Sequence, residues 1–414
     1  MNRTSKHIEI MSPVGSYESL YAAIQGGADS VYFGVGQLNM RSRSANNFDL
    51  SDLQKIAGIC KEHGIRSYLT LNTIVYDHEL SVMKDILNTA KNAGVSAVIA
   101  ADIAVMTYAR SIDLRVHIST QCNITNIEAV RFFAQFADVM VMARELNLNQ
   151  VAAIIRQISD EQITGPSGNL VDIEVFAHGA LCMAVSGKCY LSLDNYNESA
   201  NRGACLQICR RPYKITDMDG GTELAVDNAY ILSPKDLKTL DFLDEVIDSG
   251  VKILKIEGRG RSADYVKTVT RVYKEAVAAI SENTFTKDRL EIWNEQLKTV
   301  YNRGFWDGYY LGQTLGEWTD DYGSMATKRK VYVGKITNYF QKINVAEIKI
   351  ETGSISVGDE ILIMGETTGV YEDTISEIRV DLQPVQTAEK GVFCSIATKD
   401  LVRRGDKVYR WDNA

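Results

Sequence analysis

Residues 22–34, AAIQGGADSVYFG, place the end of a helix, a glycine and a short apolar strand side by side. The pattern returns in CKEHGIRSYLTL (60–71), AKNAGVSAVIAAD (90–102) and VIDSGVKILKIEG (246–258), with Gly27, Gly64, Gly94 and Gly250 at the junctions. A glycine there can adopt the left-handed conformation that ends a helix, and the β-rich run behind it is short enough for a buried strand. Repetition of this unit predicts βα architecture.

Working outward, apolar runs predict strands at Ile8 to Met11, Ser30 to Phe33, Arg66 to Leu71, Ala97 to Ala100, Arg115 to Ile118, Val139 to Met142, Ile173 to Ala177 and Ile253 to Ile256. Parallel strands buried on both faces read as continuous runs of this kind, and eight of them with intervening helices point to an irregular (β/α)8 TIM-like barrel. A doubly wound open sheet is the alternative. Before the last strand comes an insertion, about 178–235, carrying four cysteines, a hairpin signal at DMDGG (217–221) and an expected helix start near SPKDL (233–237). The barrel is expected to occupy 1–283, followed by a helical connector over 284–327. From 328 to 414, runs such as KVYVGKITNYF, VAEIKIE and GVFCSIA with short turns predict a small all-β barrel domain.

The 414 residues are 45% hydrophobic and 24% charged with five prolines, an ordinary globular composition. The N-terminal MNRTSKHIEIMSPVG has no secretory leader pattern and no run of uncharged apolar residues is long enough for a transmembrane helix, so a cytoplasmic address without membrane contact is expected. With a net charge of −8, a nucleic-acid partner would have to be held by a local basic patch.

Barrel enzymes carry their sites at the C-terminal strand ends. Those positions hold Ser12 and Gly15, Gly34, Asn39 and Arg41, Asn72, Asp102, Ser119, Gln121 and Asn123, Arg144 and Glu145, His178, and Glu257 and Arg259. Such a ring suits an anionic, hydrogen-bonding ligand, although strand ends are also polar simply because they meet water. Four of the seven cysteines, Cys182, Cys189, Cys205 and Cys209, fall in the insertion. In a reducing compartment such thiols bind zinc or an iron–sulfur cluster, and their spacing does not choose between the two; four idle buried cysteines are the third possibility. Cys60 and Cys394 read as core, as does Cys122, which could also face the pocket.

Arg202, Arg210, Arg211 and Lys214 interleave with Tyr190, Tyr196 and Tyr213, a mixture suited to phosphate contact and base stacking, or to a solvated loop. Lys328, Arg329 and Lys330 form a second basic run. No HExxH, GxSxG or P-loop pattern occurs, so zincin, α/β-hydrolase and P-loop readings lack a motif.

The run EVFAHGALCMAVSGKCYLS (174–192), together with NRGACLQIC, SPKDL, KIEGR (255–259) and NRGFWDGYYLG (302–312), resembles the signature blocks of the collagenase-like peptidase family U-32. Several branches of that family are oxygen-independent hydroxylases of RNA bases or ubiquinone precursors with a 4Fe-4S cluster. The resemblance places Cys182, Cys189, Cys205 and Cys209 at the four ligand positions. One barrel followed by one small β-domain, with ISVGDEILIMG (355–365) similar to domain two of elongation factor Tu, resembles the tRNA hydroxylation protein P group. That implies hydroxylation of wobble uridine to 5-hydroxyuridine in tRNA, prephenate as a small anionic cosubstrate, and an electron-donor protein as a possible partner. Arg41, Asn72, Gln121, Arg144 and Arg259 would then bind substrate. His178 is the candidate for proton transfer, or else orients the cysteine loop, and Glu257 is the second catalytic candidate, or else pairs with an arginine. Arg202, Arg210, Arg211 and Lys328 to Lys330 would contact RNA. A peptidase, the family's historical label, and a non-enzymatic tRNA-binding module are the competing functions. The sequence does not set an oligomeric state.

Overall fold

The apolar runs close into a ring. A computed structural model describes residues 7–43, 47–213, 230–313 and 316–414. Seven parallel strands follow one another as β1 (Glu9–Pro13), β2 (Ser30–Gly34), β3 (Arg66–Leu71), β4 (Ala97–Ala100), β5 (Val116–Ile118), β6 (Val139–Val141) and β7 (Asp172–Ala180). After a three-residue strand β8 (Asp236–Lys238) outside the ring, β9 (Ile253–Ile256) pairs in parallel with both β7 and β1 and closes an eight-stranded barrel. The open-sheet alternative falls with that closure.

The helices α1 (Tyr17–Gln25), α2 (Leu53–Glu62), α3 (Leu80–Ala93), α4 (Ile103–Ser111), α5 (Ile127–Ala134) and α6 (Leu148–Asp160) each return the chain to the next strand. A short helix α7 (Leu191–Tyr196) lies in the cysteine insertion, α8 (Leu243–Asp248) precedes β9, and α9 (Ala263–Ser281) completes the outer layer. Gly94, at the end of α3, has φ of 80°, and its amide closes the last turn onto the Ala90 and Lys91 carbonyls. Residues of β1, β2 and β4 are buried along their whole length because one face meets the helices and the other the barrel interior. The outer layer is one continuous apolar cluster, whereas inside the barrel Met11, Tyr32, Tyr68, Ala97, Ile99, Val139 and Ile253 form a small separate one.

The helix expected near SPKDL is absent. Asp236–Lys238 instead forms β8, which runs antiparallel to the end of β7 with Gly179 opposite Leu237, and the helix begins only at Leu243. A two-residue strand β10 (Phe305–Trp306), reached after α10 (Lys287–Thr299), adds to β8, and the buried pair Arg303–Asp236 at 3.3 Å ties the two segments. The DMDGG hairpin signal and Lys214 lie outside the described residues.

Downstream, β11 (Lys328–Phe340) opens an antiparallel region that continues through β12 (Val345–Ile350), β13 (Ser354–Ser356), β14 (Glu360–Gly365), β15 (Gly369–Thr374), β16 (Ile378–Val380), β17 (Gln383–Val385), β18 (Thr387–Glu389), β19 (Phe393–Ala397) and β20 (Lys407–Asn413). Eight of these strands form one sheet in the order β15-β14-β20-β11-β12-β19-β16-β17, and β13 with β18 makes a ribbon that shares the same core around Val333, Ile348, Ile355 and Ile363. Among the described residues no ladder joins β15 to β17. The domain docks on α1 and α9: Gln25 bonds both the Thr368 carbonyl and the Val370 amide, and Lys267 donates to the Val370 carbonyl. Leu362, Met364 and Val370 complete the barrel's own apolar cluster.

Candidate active site

At the C-terminal ends of the strands, seven of the eight barrel strands send residues into one cavity of about 140 Å³. A cavity of ~150 Å³ holds one benzene ring; this chamber is of that size and is open on one side. One wall carries amides and hydroxyls: Asn72 Nδ2 lies 3.1 Å from Gln121 Oε1 and 3.3 Å from Ser119 Oγ, while its Oδ1 accepts from the Met40 amide. The chamber is also cationic. Arg41, Arg144, Lys255 and Arg259 all line the chamber.

Each cation is fixed by a specific contact. Arg41 pairs with Glu257 at 2.9 Å. Arg144 donates to the Ala180 carbonyl and lies 3.9 Å over the Phe176 ring, and its Nε is buried without a hydrogen-bond partner. Arg259 donates to Asn39 Oδ1 at 3.0 Å and Thr70 Oγ1 at 2.9 Å; a Cβ at Gly34 would stand 2.4 Å from its guanidinium, so only glycine leaves that space. Lys255 pairs with Glu174 at 2.7 Å below the chamber, where neither side chain is more than 6% exposed. His117 stands 3.9 Å from the other Glu174 oxygen, and burial, reinforced by Lys255, pushes its pKa down to about 3.

Burial would raise the pKa of Glu257, but the adjacent Arg41, Arg144 and Arg259 outweigh it and hold the carboxyl down to about 2. A carboxylate that acidic is a poor proton acceptor at neutral pH. Its place is to fix Arg41, with Tyr32 donating to it at 3.2 Å. The chamber therefore keeps an excess of positive charge and suits an anionic ligand with one ring.

The described part of the cysteine insertion before residue 214 forms a lid over part of this chamber. Cys182, Cys205 and Cys209 line it, and all four insertion thiols are free of disulfides. Burial holds the Cys209 thiol above its ordinary value, opposed by Arg210 and reinforced by Cys182, Cys205 and Cys189, so the four sulfurs share one electrostatic neighbourhood. Gly187 and Gly203 permit the close approach of this lid: a Cβ would come 2.8 Å from Gln121 Cγ at the first and 2.2 Å from Ser42 Oγ at the second. Among the described residues, no three His, Cys, Asp or Glu side chains converge as a single metal ion requires. Tetrahedral zinc, with Zn–S of ~2.3 Å, would need sulfurs about 3.8 Å apart. A zinc ion or an iron–sulfur cluster would each draw on these four thiols.

His178 does not reach the chamber. The pairing of β7 with β9 slips by one residue between Phe176 and His178, so Phe176 faces the chamber while His178 shares the outward face of Ile256. Its ring is packed among Tyr265, Tyr273 and Phe305, with Nδ1 3.4 Å from the Tyr273 hydroxyl, and burial pushes its pKa down to about 3. The structure thus corrects the expectation that it moves a proton there.

Several expected RNA contacts are also engaged elsewhere. Arg210 donates to the Leu181 and Pro234 carbonyls and to Ser233, stapling the lid to the segment before β8. Arg202 pairs with Glu79 and stacks 4.1 Å over Tyr76. Lys328 pairs with Glu360, and Lys330 bridges to Asp264 at the start of α9. Arg211, beside Tyr196, and Arg329 are the exposed members of these sets. Lys255, Glu174, His117 and Tyr32 were not singled out from sequence. A charged residue inside a strand buried on both faces, as in ILKI and IEVF, was the signal for the first two.

A TIM-like barrel with a cation-lined chamber beneath a four-cysteine lid is the class that fold and site define. The profile of peptidase family U32 matches residues 15–320. A protein named collagenase from Porphyromonas gingivalis is 57% identical across 98% of each chain. The tRNA hydroxylation protein P1 of Bacillus subtilis is 28% identical over 97% of this chain and 96% of its own. A 23S rRNA 5-hydroxycytidine synthase of Escherichia coli is 36% identical over 68% of this chain and 41% of its own. The chain belongs to peptidase family U32. No helix among the described residues is long and apolar enough to cross a membrane.

Proposed function

We propose that this chain hydroxylates a pyrimidine base in RNA, wobble uridine of tRNA to 5-hydroxyuridine, with prephenate as the hydroxyl source and a 4Fe-4S cluster held by Cys182, Cys189, Cys205 and Cys209. The observation that carries the reading is the ring-sized chamber lined by cations and amides, with three of the four cysteines at its lid. The names of the RNA-modifying relatives support it.

In this reading Arg144 and Arg259 take the carboxylates of the cosubstrate, for which a planar guanidinium offers two parallel donors. Lys255, paired with Glu174, adds a third cation from below. Asn72, Gln121 and Ser119 present donors and acceptors to the edge of a base that has left its stack. Glu257 holds Arg41 at the chamber mouth. When bound, the cluster would supply one-electron redox capacity, renewed by an electron-donor protein. The lid and the chamber walls exclude bulk water from the reacting atoms.

A peptidase is disfavoured by the same geometry, because among the described residues no histidine lines the chamber beside Ser119, Ser186 or the cysteines. Anaerobically prepared protein, supplied with a reductant and prephenate and incubated separately with tRNA and ribosomal RNA, is expected to add one oxygen atom to a pyrimidine nucleoside, read by mass spectrometry. Cleavage of gelatin that survives Cys182→Ser, with no change in either RNA, would replace this reading by proteolysis.

A further inference from the structure

A second cavity of about 380 Å³ adjoins the chamber and shares Arg41, Ala180, Gln207 and Glu257 with it. The Arg41–Glu257 pair is therefore a partition between an inner space and an outer groove. The groove is walled by Arg43, Leu206 and the turn Gly258 to Arg261, in which the Arg261 amide donates to the Gly258 carbonyl at 2.8 Å.

Its charge is unbalanced. Arg41 is neutralised by Glu257 and Arg43 by Glu198, but Arg261 has no carboxylate partner among the described residues. The Arg261 guanidinium is held 3.6 Å over the Tyr301 ring, which fixes its direction without cancelling its charge. Two residues later the nineteen-residue helix α9 begins, and the Ser262 side chain makes no capping bond to it.

Size sets what belongs there. The inner chamber is ring-sized and open on one side, so a nucleotide whose base enters it leaves ribose and phosphate at the mouth, where this larger groove begins. We propose that the groove is the phosphate subsite of the site: it receives a phosphodiester of the RNA strand whose base lies in the chamber, with Arg261 as its free cation and Arg43, paired with Glu198, beside it. This rests on the RNA reading given above. Loss of one charge-assisted bond of this kind weakens binding roughly tenfold.

The test compares uridine, uridine 5′-monophosphate and succinate as probes in titration calorimetry on the full chain at low salt. The unaltered protein is expected to bind the monophosphate about tenfold tighter than uridine. The double variant Arg43→Ala with Arg261→Ala is expected to lose that preference while keeping its affinity for uridine and succinate; Arg261→Lys, which retains the charge, keeps part of it. A loss of succinate affinity in place of the phosphate preference would assign the groove to a carboxylate and overturn the proposal, as would the absence of any preference in the unaltered chain. Phosphate preference without RNA hydroxylation would leave the subsite standing and remove the RNA reading. Hydroxylation of RNA with an unchanged KM in the double variant would do the reverse.

Discussion

Glu257→Gln separates the electrostatic account of the chamber from a merely steric one. Holding a carboxyl at about 2 against its ordinary 4.5 corresponds to about 3 kcal/mol of preference for the ionised form, at ~1.4 kcal/mol per pH unit. The folded-state pKa is depressed, so this stability is fully present above pH 4.5 and is lost as the pH falls towards 2. Glutamine keeps the shape and removes the charge, leaving Arg41, Arg144 and Arg259 facing one another. The variant is expected to melt ~5 °C below the unaltered protein at neutral pH. That gap should narrow below pH 4.5 and close near pH 2. Calorimetry with prephenate should show tighter binding to the variant, because the only carboxylate on the chamber wall among the described residues has gone. A melting difference that stays constant from pH 7 to 3, or weaker prephenate binding, would refute the reasoning.

Glu174→Gln leaves the Lys255 ammonium buried without its partner, and is expected to cost about 3–5 kcal/mol in thermal melts; Glu174→Leu with Lys255→Met should recover most of that loss. Serine at any one of Cys182, Cys189, Cys205 and Cys209 is expected to abolish bound iron and visible absorbance in anaerobic preparations, whereas Cys122→Ser, whose thiol bonds the Ala101 carbonyl at 3.6 Å, should leave both intact. His178→Phe keeps the aromatic packing around Tyr265, Tyr273 and Phe305 and should leave hydroxylation and ligand affinity unchanged; a large fall in kcat at constant KM would return His178 to the chemistry.

The barrel was legible because parallel strands are buried on both faces and so leave unbroken apolar runs: Arg66–Leu71, Ala97–Ala100 and Ile253–Ile256 appear in the structure with the bounds read from sequence. β8 and β10 were not, since three and two residues carry no periodicity and their pairing depends on where the rim of a closed barrel falls. The SPKDL segment has the look of a helix start, a local preference overridden by the edge that β7 offers it. Arg41, Asn72, Gln121, Arg144, Glu257 and Arg259 were readable as strand-end residues, and the structure brings all six to one chamber. His178 was misplaced because a one-residue slip in a ladder reverses which face a side chain takes, and no composition records it. The basic residues could be counted in the sequence, but their carboxylate and carbonyl partners, distant along the chain, could not.

The most direct test of the account is nucleoside mass spectrometry of tRNA from cells lacking this chain, restored with the unaltered protein, with Arg144→Ala or with Cys182→Ser. One hydroxylated uridine is expected to vanish on deletion, to return with the unaltered chain and to stay absent with either variant. A nucleoside profile unchanged by deletion would contradict the account.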